Sequence, residues 1–404
     1  MPHYILHTAE ILYSPDFDRP KVGYGLLIDE SGTILEAAPI RELLDICDER
    51  HDHQVIMPGV VNAHIHLTDA GRTETVPGGE GLVAWIRKLL VDRDAGLTSK
   101  EREEAVTRTI DEIRASGTVA LGEVVNNEGT LKPIMRSGMR CRYIHELIDF
   151  SREGREKIMA EAERLKGAHG WEGNVVHALG AHAPYSISPE LMKSIDEWSL
   201  ANGTYLYQHL AEGPDERKLY EQGEGPWVEF LKMAGAWDES FVPPGVSPIL
   251  FYDQLGLLSV RFVAVHLADA ADSEIQLLAR RGVKAVLSPT SNLHITGLLP
   301  HVREMVRVGM RLALGTDGRG SNPSMDVFDE ARLLHERFPD LPPGTLLRAV
   351  TVGGADVLGF PDLGRIRVGS SPGLVAMEIN EEVNDLKELE RAILSNDAKR
   401  ERIA

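Results

Sequence analysis

Cysteine is almost missing from this 404-residue chain: Cys47 sits in an acidic run and Cys141 between two arginines, neither with a second Cys or His at zinc-clip spacing. That excludes a disulfide framework and a thiolate metal site. Long apolar runs are missing too, and none approaches the roughly 18 uninterrupted apolar residues of a membrane span. The opening Met1-Pro2-His3-Tyr4-Ile5-Leu6 carries no basic segment leading into an apolar stretch, so a cytoplasmic protein with no membrane partner is expected. Positive charge is scarce: 43 Lys and Arg stand against 62 Asp and Glu, a net charge of −19. Such a surface repels phosphate backbones, and nucleic acid is not an expected partner. Solenoid repeats and low-complexity tracts are absent as well. What remains, 43% hydrophobic and 26% charged residues, is ordinary globular usage with material for one large barrel and a minor domain.

Residues 1–57 read as short strands, with apolar runs such as Val22-Gly23-Tyr24-Gly25-Leu26-Leu27-Ile28 broken by Asp29-Glu30-Ser31-Gly32. From Ile56 the texture becomes short apolar runs alternating with segments of helical period, the pattern of βα units and a parallel sheet. The expected strands are 56–62, 118–122, 142–147, 174–180, 204–208, 262–265, 284–287 and 311–314, eight in all, the number that closes a (β/α)8 TIM-like barrel in an α/β chain. Ser273 to Arg281 reads as a helix with a Ser cap and a stop at Gly282, and 301–308 ends similarly at Gly309. After Ala355, strand and turn return in 364–369 and 373–379. The expected organisation is a small β domain from 1–57 and 356–404 beside a barrel spanning 58–355.

The chemistry-bearing residues fall at strand ends. His64 and His66 follow Val60-Val61 at i and i+2, so strand period turns both imidazoles to one side, within reach of one ion. His51-Asp52-His53 has the same spacing in a polar run and reads as solvated surface. His209 ends 204–208, His266 ends 262–265 and Asp317 follows 311–314. A single such histidine is an ordinary core residue; five polar groups at successive barrel strand ends are a site. Three neutral imidazoles and a carboxylate suit one divalent metal, with an open position for water.

Pro58-Gly59-Val60-Val61-Asn62-Ala63-His64-Ile65-His66, His209-Leu210-Ala211-Glu212, Ser288-Pro289-Thr290-Ser291-Asn292 and Leu314-Gly315-Thr316-Asp317 together resemble the amidohydrolase superfamily, in its metal-dependent deaminase and chlorohydrolase branch. The resemblance spans nearly the whole chain. It implies that His64, His66, His209 and Asp317 bind one metal, usually zinc or iron, and that His266 orients the water. The strand ending at Gly180 offers no lysine of the kind that bridges two metals in the hydantoinase branch, so a mononuclear site is implied.

Glu212, three residues beyond His209, is what heterocycle deamination needs, since one group must protonate a ring nitrogen while hydroxide attacks the neighbouring carbon; its bland alternative is an exposed loop acid. Asp317 and His266 then pass protons toward the departing ammonia. His182, in His182-Ala183-Pro184-Tyr185-Ser186, resembles the substrate-contacting histidine of nucleoside deaminases or anchors its loop. Trp85 stacks on a ring or packs in the core, and Glu80 accepts ribose hydroxyls or faces solvent. Arg319 and Arg72 are candidate carboxylate clamps at the barrel mouth. The remaining histidines, His145, His169, His177, His294, His301 and His335 among them, have no spacing that ties them to the metal. The implied reaction is hydrolytic deamination of a small heterocyclic substrate of adenine-nucleoside type. Gly122 to Asn126 and the His182 motif add a likeness to aminodeoxyfutalosine deaminases of menaquinone biosynthesis. S-adenosylhomocysteine, methylthioadenosine or guanine deamination, triazine dechlorination and a non-catalytic scaffold remain alternatives, and self-association into a homo-oligomer is left open.

Overall fold

The computed structural model describes residues 3–92, 97–151, 154–168, 171 and 173–404; His169 lies outside them. Four strands open the chain: β1 (Tyr4–Leu12), β2 (Lys21–Asp29), β3 (Ile34–Pro39) and β4 (Glu49–Pro58). Nine follow: β5 (Val60–His66), β6 (Thr118–Val125), β7 (Arg140–Leu147), β8 (Val175–Ala181), β9 (Leu206–Leu210), β10 (Phe262–His266), β11 (Lys284–Leu287), β12 (Arg311–Leu314) and β13 (Asp317–Gly318). β14 (Leu374–Glu378) and β15 (Lys399–Arg402) end the chain.

β5 to β12 pair in parallel in chain order, and β13, which continues from β12, pairs back onto β5 at Asp317–Ile65 and Gly318–His66. The sheet therefore curls into a TIM-like barrel. β5 and β6 are buried along almost their whole length, as parallel strands covered on both faces must be. Side chains segregate with period two: Ile144, Ala178, Tyr207, Val263 and Val265 join one buried cluster. Their neighbours Leu179, Leu206, Phe262 and Ala264 join a second cluster with the covering helices. Gly315 lets the end of β12 approach β5, since a Cβ there would lie 2.6 Å from the His64 backbone and side chain. Asn62 locks the same junction, giving its amide to Thr316 Oγ1 at 2.8 Å and accepting the Thr316 N–H.

The chain ends build a second, six-stranded sheet in the order β15-β14-β4-β1-β2-β3. Several expectations need correction here. The run 56–62 is not one strand: Gly59 divides β4 from β5, packed so tightly that a Cβ would lie 2.3 Å from Val119. Residues 364–369 form no strand, and the last strand is the charged Lys399–Arg402, whose period carries no apolar signal. His51 and His53 lie within β4, where His51 registers with His7 of β1; His51 is exposed, as the reading of solvated surface expects, and His53 is half-buried. The helix expected from Ser273 begins at Asp272 and has no Ser cap; the Glu274 side chain accepts the Ala271 N–H instead. It stops at Gly282 in the left-handed conformation.

Candidate active site

The carboxyl ends of the barrel strands converge on four histidines and three buried carboxylates. His64 and His66, delivered by β5, place their Nε2 atoms 3.6 and 3.5 Å from Asp317 Oδ1. His209 from β9 packs against both, its ring centroid 4.9 Å from His64 and 5.7 Å from His66, and His266 from β10 lies 5.3 Å from His209. The ligand atoms of His64, His66 and His209 all lie within 4.8 Å of one another. Non-glycine residues with positive φ gather at these strand ends: Ala211, His266, Leu267 and Asp317. Strain of this kind persists only where surrounding structure enforces it, and it marks functional sites.

Two hydroxyls hold the aspartate: Ser291 and Ser321 donate to Asp317 Oδ2 at 2.6 and 3.1 Å, leaving Oδ1 toward the histidines. Asn292 lies 3.1 Å from His266 Nδ1, so the Nε2 of that ring faces Glu212 Oε1 at 3.6 Å. His209 Nδ1 lies 3.1 Å from Glu146 Oε1 and 3.0 Å from the His182 carbonyl. Tyr185, stacked on Trp227 at 3.6 Å between centroids, donates to Glu212 Oε2 at 3.5 Å.

Electrostatics separates these groups. Burial drops His64 to about 4 and holds His266 well below the ordinary imidazole value, so both rings are neutral. Burial works against ionisation of Asp317, but His64, His66 and His266 outweigh it and hold the carboxyl well below its usual range. Burial likewise opposes the Glu146 charge and is overcome by His182, His209 and His66. Burial also disfavours a charged His209, yet hydrogen bonding and charge from Glu146 raise it to about 9. Glu212 is pushed up to about 7 by burial, reinforced by Asp317 and opposed by His209.

A cation fits this donor set. His64 Nε2 is buried and has no hydrogen-bond partner among the described residues, a vacancy that would be costly if nothing filled it. The neighbouring donors, two further imidazoles and a carboxylate oxygen, are those a borderline divalent ion takes.

Above the cluster opens a cavity of about 390 Å³, within the range of small-molecule sites. His66, His182, His209, Glu212, His266 and Asp317 line its floor, and Trp85, Ile86, Leu89, Ile148, Phe230 and Leu231 its apolar wall. His182 is fixed by Ser186 Oγ at 2.5 Å from Nδ1. Glu212 is buried, against the bland reading of an exposed loop acid. Three sequence candidates are not brought here. Glu80 is exposed and pairs with Lys88 at 3.1 Å. Arg319 pairs with Glu112 and the Pro323 carbonyl, outside the cavity lining. Arg72 lies near Asp69 at 3.7 Å and the Leu89 carbonyl at 3.3 Å, and faces a neighbouring hollow. Nearer carboxylates claim both arginines, and a lysine claims Glu80. Sequence reasoning missed Glu146, whose position at the end of β7 was its available signal, and it gave Ser291 and Asn292 no roles within their motif.

The amidohydrolase family model matches residues 55–400. The 5'-deoxyadenosine deaminase of Methanopyrus kandleri is 29% identical over 377 residues, 88% of this chain and 81% of that protein. The 5-methylthioadenosine/S-adenosylhomocysteine deaminase of Dictyoglomus thermophilum is 26% identical over 340 residues, 81% of this chain and 74% of its own length. Among solved structures, Helicobacter pylori aminofutalosine deaminase in complex with methylthio-coformycin superposes with a TM-score of 0.84 at 20% identity, covering 99% of this chain and 100% of that one. With that match over most of its length and a three-histidine, one-aspartate centre at the mouth of a parallel barrel, the chain belongs to the amidohydrolase family.

Proposed function

We propose that this chain is a metal-dependent deaminase of an adenine nucleoside carrying an apolar group at its 5′ position. The observation that carries the reading is Glu212: a buried carboxyl poised near neutrality, 3.6 Å from His266 and opening into a cavity with an apolar wall. In this reading His64, His66, His209 and Asp317 hold one divalent ion, zinc by preference because imidazole-rich sets with a single carboxylate suit it. When bound, such an ion lowers the pKa of water from about 16 toward 7 and makes hydroxide available at neutral pH.

The protein side chains do the rest. Glu212 in its acid form donates a proton to the ring nitrogen beside the amine-bearing carbon, which makes that carbon electrophilic. Ionised Asp317 and neutral His266 take the proton given up by the attacking water and return it to the amine. The C–N bond then breaks, ammonia leaves, and the second proton of the water, still on the new hydroxyl, passes back to Glu212, which restores its acid form and leaves a carbonyl in place of the amine. Trp85 offers a flat apolar face beside the ring, and His182 offers a nitrogen at the cavity floor. The names of the two sequence relatives support an adenosine core, and the wall of Ile86, Leu89, Ile148, Phe230 and Leu231 supports an apolar rather than a charged 5′ extension.

The test is ammonia release from a panel: adenosine, 5′-deoxyadenosine, methylthioadenosine, S-adenosylhomocysteine, aminodeoxyfutalosine, guanine and a chlorotriazine. The expected order puts 5′-deoxyadenosine and methylthioadenosine ahead in kcat/KM. Preference for aminodeoxyfutalosine would replace the apolar 5′ group with a carboxylated one, and turnover of guanine or the triazine alone would overturn the nucleoside class.

A further inference from the structure

Glu146 is a buried carboxylate at the barrel mouth that has no part in the deamination chemistry above. It sits next to last in β7, is buried, and lines the cavity floor. Its Oε1 lies 3.1 Å from His209 Nδ1, and the His182 carbonyl lies 3.0 Å from the same nitrogen. A carboxylate and a carbonyl only accept, so Nδ1 must carry the hydrogen. In a neutral imidazole that leaves the lone pair on Nε2, the atom on the far side of the ring. The ring also has two fixed contacts against rotation. Charge gives a second argument: a buried divalent ion held by Asp317 as the only anion keeps one uncompensated charge, and a second carboxylate against a ligand ring offsets it.

Resting on the reading of His64, His66, His209 and Asp317 as one metal centre, we propose that Glu146 is a positioning residue for that metal. It sets the tautomer and orientation of His209 and supplies the second negative charge of the centre. Outer partners of this kind typically contribute about 10- to 100-fold in metal affinity.

The experiment uses the full chain, stripped with a chelator and titrated with Zn²⁺ against a competing chromophoric chelator. Glu146→Leu removes acceptor and charge and is expected to weaken Zn²⁺ by roughly 10- to 100-fold. Glu146→Gln keeps an acceptor oxygen of the same reach and is expected to recover part of that loss, with the visible spectrum of the Co²⁺ form closer to wild type than that of the leucine variant. If the leucine variant does not fold, Glu146→Gln stands alone, and its affinity must fall several-fold. Wild-type Zn²⁺ affinity in the glutamine variant, or in both, overturns the proposal, as does an equal fall in apo melting temperature with unchanged affinity. The two readings fail differently: Zn²⁺ binding that survives Asp317→Ala in a chain with Glu146 intact sinks the metal centre itself, whereas loss of binding there with none at Glu146 sinks only this role.

Discussion

His51 and His53 on β4 repeat the spacing of His64 and His66 on β5, on consecutive strands separated by Gly59. In the terminal sheet, His7 of β1 stands beside both, ring centroids 5.2 and 5.3 Å away, with its Nδ1 3.0 Å from His53 Nε2. Of the acids near them, Glu49 is shared between His51 and His3, and Asp52 is held by Thr8 and Arg50. At the barrel mouth the same spacing meets His209, Asp317, Glu146 and Glu212. Among the described residues, the groups of three metal-capable side chains with ligand atoms within 4.8 Å both lie at that mouth. Alternation puts two imidazoles on one face; only the curled sheet brings other strand ends around to meet them.

The largest effect that separates the two clusters is loss of the ion. Asp317→Ala is expected to strip metal and abolish deamination, a larger loss than the roughly 10- to 100-fold typical of an outer partner. The double change His51→Ala, His53→Ala should leave metal content and kcat/KM at wild-type values. Elemental analysis with a steady-state assay reads both; metal lost from the second variant would erase the distinction between the clusters.

Next in size is Glu212→Gln, which keeps the ion and removes the proton carrier. A general acid and base contributes about 10²- to 10⁴-fold, or about 3 to 6 kcal/mol of barrier. Full turnover in this variant, with metal bound, would leave the proton transfers to Asp317 and His266 alone.

How much of this was legible in the sequence follows from the same physics. β11 and β12 could be read to the residue because a short apolar run bounded by Gly or a charged residue leaves little choice of ends. His64, His66, His209, His266 and Asp317 were legible because each falls at or just beyond the carboxyl end of such a run, where a parallel barrel strand opens onto the mouth. Glu146 also falls near such an end, but a lone acid after Tyr143-Ile144-His145 has no spacing partner in the chain. The partners of Arg319 and Arg72 were illegible for a different reason: a long flexible side chain reaches any carboxylate within several ångströms, and Glu112 lies 207 residues from Arg319 in sequence.

A smaller effect tests the terminal sheet. Burial, then the neighbouring His53 and His51, lower His7 from 6.5 to about 4. A histidine whose folded value is depressed binds its proton more readily when unfolded. Its stabilising contribution is therefore complete above about pH 6.5 and is lost as pH falls toward 4. Over the interval from about pH 6.5 down to 5.0, the loss is about 1 to 2 kcal/mol. Urea unfolding at pH 7.5 and 5.0 should show it in the wild type and show it diminished in His7→Gln. An unchanged difference would assign the acid lability to other groups.

The smallest expected effect belongs to Arg319, which stands two residues from Asp317 in sequence yet outside the cavity. Proximity in the chain argues for a carboxylate clamp; geometry argues for an ion pair with the half-exposed Glu112 on helix Ser99–Ala115. Exposed pairs of this kind contribute about 0 to 1 kcal/mol, so Arg319→Ala should lower the melting temperature slightly. KM for methylthioadenosine and for aminodeoxyfutalosine should stay where it is, because no substrate group in the cavity meets the guanidinium. Had Arg319 been a clamp, the charged hydrogen bond lost would cost about 1.5 to 3 kcal/mol, and KM would rise by more than tenfold for the carboxylated nucleoside alone. That selective rise would show the side chain leaving Glu112 for the substrate. An equal rise for both nucleosides would instead locate the effect in Asp317 and the Gly318–Asn322 turn, where Ser321 holds the carboxylate.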